Sequence, residues 1–161
     1  MPQDYFLQID GVKGESTDKT HPDTIEIDSF SWGSSNPGSH GVGGGGGAGK
    51  VHFDDLRFTA KVSKASPELM VACATGTHFK KATLYVRKQG DGQKDYYTVT
   101  LEDLLVSSYQ DQGSPGDVVP VSNFSLNFAK IKFEYRPQRD DGSLEPAKTG
   151  GWDLKQNKPH G

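Results

Sequence analysis

Two stretches of alternating apolar and polar residues, joined by a glycine run, constrain this chain more than anything else in it. The first is Ile25-Glu26-Ile27-Asp28-Ser29-Phe30-Ser31-Trp32; the second is Val51-His52-Phe53-Asp54-Asp55-Leu56-Arg57-Phe58-Thr59-Ala60-Lys61-Val62. Period-two alternation is the mark of a strand, because successive side chains point to opposite faces. Between the two lies 33–50, with the unbroken run Gly43-Gly44-Gly45-Gly46-Gly47. Glycine has no side chain to bury and loses the most entropy on ordering, and a connection this long in a compact domain is functional or disordered. We expect an extended glycine-rich loop that becomes ordered against a neighbouring chain.

The alternation also steps. Ile25 and Ile27 are followed by Phe30 and Trp32; Val51 and Phe53 by Leu56, Phe58, Ala60 and Val62; Phe124, Leu126 and Phe128 by Ala129, Ile131, Phe133 and Tyr135. A one-residue step turns the buried set to the other face. Either a bulge restores the face, as closing barrels require, or the strand buries both faces, one of them against a partner. Further strands are predicted at 5–9, with Tyr5, Leu7 and Ile9 on one face, and at 82–89, 96–101, 104–109 and 121–135. Gly90-Asp91-Gly92 supplies a turn and Pro137 ends the last strand. One helix is predicted, over 66–75: Ser66 is placed to cap it, Pro67 suits its first position, Glu68 complements the dipole and Gly76 suits the C-terminal cap. Its apolar face would be Leu69, Met70, Cys73 and Ala74. The remainder, 136–161, reads as a polar tail. The fold class is mainly β: an antiparallel β-barrel in one domain, 1–161, with one short flanking α-helix and the long glycine-rich loop.

Gly44, Gly49 and Lys50 match the spacing of a phosphate-binding loop, but Val51 stands where a hydroxyl must hold Mg²⁺. Such a loop also opens a helix whose N-terminus faces the anion, whereas strand periodicity follows here. A formal net charge of −3 and the absence of a Lys/Arg cluster argue against nucleic-acid binding. The pairs Lys80-Lys81 and Arg87-Lys88 read as solvated strand edges or faces. Cys73 is the only cysteine, so no intrachain disulfide forms, and its apolar surroundings predict an inert buried thiol. The start has no basic region followed by an apolar one, and no apolar run reaches membrane-spanning length. We therefore expect synthesis in the cytoplasm, no membrane insertion, and export, if any, without a cleaved signal peptide.

The five histidines show no metal-ligand spacing. Asp54-Asp55 and Glu102-Asp103 are adjacent on strands and would point to opposite faces. No serine sits in a G-x-S-x-G elbow, and Asp18, Asp23 and Asp28 lack EF-hand spacing. No catalytic, cofactor-binding or metal-ligating residue is assigned, no cofactor is expected, and the chain is not expected to be an enzyme.

Several short motifs, in order, resemble the haemolysin-coregulated protein (Hcp) family of bacterial type VI secretion systems. They are Lys13-Gly14-Glu15-Ser16, Asp18-Lys19-Thr20-His21, Ser31-Trp32-Gly33, the glycine run to Lys50, Ser66-Pro67-Glu68-Leu69, Ala72-Cys73-Ala74-Thr75-Gly76, Val106-Ser107-Ser108 and Leu126-Asn127-Phe128-Ala129-Lys130-Ile131. Phe30 stands where a second tryptophan is common, and 34–42 and 140–148 depart most from the pattern. The resemblance implies a β-barrel that assembles into homohexameric rings, which stack into a tube inside a contractile sheath and carry a trimeric spike protein. Small secreted effectors would be held in the ring lumen, with Ser31 as a candidate contact. Gly43, Gly44, Gly45, Gly46, Gly47 and Lys50 would form a loop between subunits or rings. The protein would wait in the bacterial cytoplasm and leave it on sheath contraction, outward or into a target cell. Relatives with a C-terminal toxin domain extend further than Gly161. The competing alternative is a monomeric β-barrel that binds a small ligand in a closed interior pocket; a nucleotide hydrolase using the glycine run ranks below both.

Overall fold

The computed structural model describes residues 3–38, 50–88 and 94–161. The glycines 43–47 and the turn at 90–92 lie outside the described residues. Among the described residues, eleven strands and one helix follow in the order β1 (Gln3–Ile9), β2 (Ile25–Ile27), β3 (Ser29–Ser31), β4 (Ser34–Ser35), β5 (His52–Phe53), β6 (Leu56–Lys61), α1 (Ala65–Thr75), β7 (His78–Lys88), β8 (Asp95–Gln112), β9 (Val121–Tyr135), β10 (Lys148–Asp153) and β11 (Lys158–Pro159).

All strand pairs are antiparallel. The main sheet runs β11-β10-β9-β8-β7-β1-β2, while β6 pairs with both β9 and β3. The pairings form a circuit, β1-β7-β8-β9-β6-β3, that returns to β1 through β2. The joint is a bend at Asp28 between β2 and β3, where the Asp28 N–H donates to the Thr59 carbonyl at 2.8 Å. Between β2 and β3 there is no continuous ladder; the covalent chain and this hydrogen bond join the two parts of the sheet.

Side chains fill its interior. Leu7, Leu84 and Val99 form one rung with Phe133, and Ile9, Ala82, Leu101 and Ile131 form the next. Lower down, Leu56, Leu126 and Val106 align, and Phe58 stacks on Phe124 at 5.2 Å. Leu7, Ile9, Leu56, Leu84, Val99, Leu101, Val106 and Leu126 are all fully buried. Burying one such aliphatic side chain stabilises by roughly 1.5–3 kcal/mol. A closed ligand pocket would need this volume, so the packing weighs against the small-ligand alternative.

Each step in the alternation coincides with a backbone irregularity. The first falls at the Asp28 bend and the second at Asp54-Asp55, between β5 and β6. The third runs across the sheet as a line. In β7 the core face passes from Phe79 to Ala82 over exposed Lys80-Lys81; in β8 it passes from Leu104 to Leu101 over Glu102-Asp103; in β9 from Phe128 to Ile131. These residues stand opposite one another: Phe79, Leu104 and Phe128 on one side, Ala82, Leu101 and Ile131 on the other. Asp103 takes the left-handed conformation, φ 51°. The core face is kept here without a bulge: the register of β7 with β8 and of β8 with β9 is unshifted across this line, and the register shifts fall instead at Val86/Arg87 and between Val106 and Ser108.

Four sequence expectations need correction. The strands predicted at 96–101 and 104–109 are one strand, β8, because Glu102-Asp103 bends the chain without ending its pairing. The polar tail contains β10 and β11, with β10 paired to β9 from Lys148 to Asp153. The helix starts one residue early: Lys64 is its cap position without a side-chain bond. Ser66 lies within the helix, its hydroxyl accepting from the Ser63 N–H at 3.0 Å. The buried face of α1 is Ala65, Ser66, Leu69 and Ala72, with Cys73 half-buried, whereas Met70 is 50% exposed and Ala74 also faces solvent. Gly76 ends the helix in the left-handed conformation, as its sequence position implies.

Candidate functional site

The outward side of β3, β6, β9 and the second half of β8 is a continuous polar face. It exists because the inward positions of these strands are apolar and the intervening ones are not. Phe30 packs edge-on to Tyr5 at 5.2 Å, and Trp32 packs on Phe133 while its indole N–H donates to the Tyr97 hydroxyl at 2.8 Å. Burial raises the Tyr97 pKa, against the smaller opposing effect of that bond. Ser31 lies between these two inward aromatics and is exposed.

Ser31, Arg57, Ser125 and Ser108 line up across the four strands, and Ser29, Thr59, Asn123 and Gln110 form the next row. Most polar groups here already have partners. Thr59 donates to Asn123 at 2.8 Å, Ser125 meets Ser107 and Ser108 hydroxyls, and the Asp55 carboxylate accepts from Ser107 at 2.7 Å and Asn127 at 2.8 Å. Asp54 lies 3.3 Å from His52. The two neighbouring aspartates serve different partners, but they lie between β5 and β6 rather than on a strand and both line one cleft, so the expectation of opposite strand faces is corrected. Two groups have no such partner: among the described residues the Arg57 guanidinium meets no carboxylate within 4.0 Å and the Ser31 hydroxyl makes no hydrogen bond. Two open clefts meet at this pair. One, of about 470 Å³, is lined by Ser31, Trp32, Phe53, Asp54, Asp55 and Arg57. The other, of about 390 Å³, runs from Ser31 and Arg57 over Thr59 to Asn123 and Ser108.

Lys50 is exposed and precedes β5, which pairs with β4 to form the base from which 39–49 depart. Strand, not helix, follows Lys50, in agreement with the rejection of a phosphate-binding loop. Gly43 to Gly47 lie outside the described residues.

A second polar cluster, on the outer face of β1 and β7, is closed by the chain itself. Loop 12–24 folds back over this face: Gly14 N–H donates to the Asp23 carbonyl at 2.8 Å and Ser16 N–H to the Thr24 carbonyl at 3.1 Å. Arg87 was expected at a solvated edge or face; it is only 5% exposed. Its guanidinium forms a two-pronged pair with the Asp18 carboxylate, lies 3.7 Å from Asp4 and sits over the Phe6 ring. His21 stacks on Tyr85 at 4.2 Å and its Nε2 lies 3.0 Å from the Asp95 carboxylate. The Arg87 bond, helped by the His21 and Thr20 N–H groups, lowers the Asp18 pKa to about 2, against the opposing effect of burial. Asp18 reciprocally raises Arg87. The motif Asp18-Lys19-Thr20-His21 was legible in sequence, but its partners were not.

A third group pins the C-terminal segment. Asp103 accepts from Lys155 at 2.7 Å and contacts His78 Nδ1 at 3.0 Å, and these two lower its pKa, Lys155 most. Glu102 meets His160 at 3.2 Å instead. No set of three His, Cys, Asp or Glu among the described residues is arranged to hold a metal, and no helix is long and apolar enough to cross a membrane.

Residues 6–135 match the family described as "Type VI secretion system effector, Hcp". The chain belongs to the Hcp family of type VI secretion proteins. It is 46% identical over 160 residues to the protein hcp1 of Pseudomonas aeruginosa, covering 98% of each chain. Among solved structures, one described as a type six secretion system protein superposes with a TM-score of 0.93 at 30% identity, covering 99% of this chain and 100% of that one. Hcp1 of Salmonella typhimurium superposes at 0.81 with 34% identity over 99% and 100% of the two chains. The Hcp likeness thus spans the barrel, the helix and the C-terminal strands together.

Proposed function

We propose that the chain is a structural subunit of the type VI secretion inner tube, acting by assembly rather than by turnover. Six copies close into a ring, rings stack, a trimeric spike caps the stack, and contraction of a surrounding sheath expels it from the cytoplasm without a cleaved signal. Small effectors travel in the lumen, against the polar face that carries Ser31. The observation that carries this reading is the whole-length match to Hcp proteins, 98% of the chain at 46% identity. The packed interior supports it as well: a barrel filled by Leu, Ile, Val and Phe has no hollow of its own, so a lumen must come from copies arranged around an axis. A ring of this kind needs two different surfaces that meet head to tail and close by rotation.

In this scheme Gly43 to Gly47 and Lys50 belong to a loop that packs on a neighbouring subunit or ring. Negative-stain microscopy and mass measurement of the purified protein test the proposal, with six-fold rings expected. A species that stays monomeric at every workable concentration overturns it. Gly45→Pro together with Gly46→Pro separates loop from barrel: stacking and secretion fall while circular dichroism remains that of the folded β protein.

A further inference from the structure

We propose that the end of the β7–β8 hairpin is a two-register element and that loop 12–24 selects its bulged register. The device lies within one protomer and goes beyond the tube reading. Val86 pairs with Tyr97, but the next residue of β7, Arg87, pairs with Asp95, so the ladder skips Tyr96. A bulge of this kind sets two residues against one and re-aims the chain. Leu84 and Val86 face the core, which places Tyr85 and Arg87 on the outer face. Plain alternation from Tyr97, which packs against the core, would put Tyr96 outward and turn Asp95 inward. The bulge instead brings Asp95 to the outer face, where both of its carboxylate oxygens lie 3.0 Å from His21 Nε2. Opposite it, Arg87 donates to Asp18 of the same loop through two nitrogens. Two anchors of the loop, Asp18 and His21, thus grip the two residues of the last described pair in the ladder.

A straight register is the competitor. It would set Arg87 against Tyr96 and Lys88 against Asp95, exchanging one cross-strand charge pair for another. On its other side β8 is undisturbed: Tyr97 pairs with Tyr135, and the Tyr96 carbonyl accepts from the Arg136 N–H at 2.8 Å. The irregularity therefore concerns only the β7 side, and the tip can change register without unseating β9. The bulged form also keeps Lys88 over the Tyr96 ring at 5.2 Å, a weak contact at an exposed position. What a slip would forfeit is the loop. Asp95 would leave the outer face and with it His21, and the Arg87–Asp18 pair would lose the neighbour that closes the cluster. Register and loop are coupled in both directions: lifting the loop frees the tip to slip, and a partner that holds the tip straight releases the loop.

Hydrogen exchange read by mass spectrometry on the full-length protein tests the coupling. His21→Ala and Asp18→Asn are each expected to speed amide exchange about tenfold in 12–24 and also in 86–97, as loss of one charge-assisted bond implies, while 121–131 stays protected. Deleting Tyr96 imposes the straight register, and the same acceleration in 12–24 is expected although no loop residue has changed. Leu69→Ala, which weakens the core at α1, controls for general loss of stability and should not single out these two segments. Acceleration confined to 12–24 in His21→Ala, or a loop that stays protected when Tyr96 is deleted, overturns the proposal. Should the deletion fail to fold, Asp95→Ala asks the question from the hairpin side. It must speed exchange in both segments as His21→Ala does, and the double variant must add nothing further; additive effects would overturn the proposal as well.

Discussion

Arg57 and Arg87 both stand on outward faces of the β structure, and the chain treats them in opposite ways. Over Arg87 it lays loop 12–24, delivering Asp18 to the guanidinium and His21 to the aromatic stack. Among the described residues nothing covers Arg57, which is exposed. An arginine whose counter-charge comes from its own chain holds a loop to a sheet. An arginine with no counter-charge among the described residues is available to another molecule. The difference separates what holds the fold from what the fold presents.

The largest expected effect tests that separation directly. Arg87→Ala leaves Asp18, Asp4 and Asp95 without their shared cation, and breaking one partner out of a buried pair costs about 3–5 kcal/mol. Arg57→Ala should stay within about 0.5 kcal/mol of the parent, as surface changes do. Urea denaturation of both variants measures the contrast, and comparable losses would erase it. Next is Gly14→Ala. A Cβ there would lie 2.3 Å from the Thr24 carbonyl oxygen, so loop 12–24 must move off its seat. Overpacking of this kind costs about 1–3 kcal/mol, and faster hydrogen exchange of the loop amides would report it.

A smaller effect follows from acid titration. The Asp18 carboxyl titrates at about 2 in the folded state, against about 3.9 when unfolded. The unfolded chain therefore takes up the proton first. The pair's contribution is complete above the unfolded value and drains away as pH falls towards 2. The thermal midpoint should drop more steeply over that window in the parent than in Asp18→Asn. Smallest of all, Ser31→Ala should leave stability within about 0.5 kcal/mol; a larger loss would make Ser31 part of the structure that holds the fold.

Much of the β architecture could be read from alternation, because period two survives wherever one strand face is buried. The strand 121–135 was legible to the residue, and the alternation put Phe30 and Trp32 on one face. The closed arginine cluster was not legible. Asp18 and Arg87 are 69 residues apart and His21 and Asp95 are 74 apart, and nothing local marks a lysine–arginine pair as buried. Met70 was misassigned for a related reason: apolar character alone does not choose a helix face, and the contacts of α1 select Leu69 and Ala72 instead. Strand β10 was hidden by Gly150 and Gly151, which resemble loop residues. At Gly151 a Cβ would lie 2.2 Å from the His160 carbonyl oxygen, so its bare backbone is what lets β11 approach.

The line through Lys80-Lys81, Glu102-Asp103 and Ala129-Lys130 restricts how the protein can change length. Removing one residue from a single strand there would slip its hydrogen bonding against both neighbours and evert half of its core side chains. Removing the matching residue from all three would restore plain alternation and leave the interior intact. Insertions and deletions at this level are therefore tolerated only as a coordinated trio, and a deletion scan of β7, β8 and β9 would find single losses insoluble and the triple loss folded.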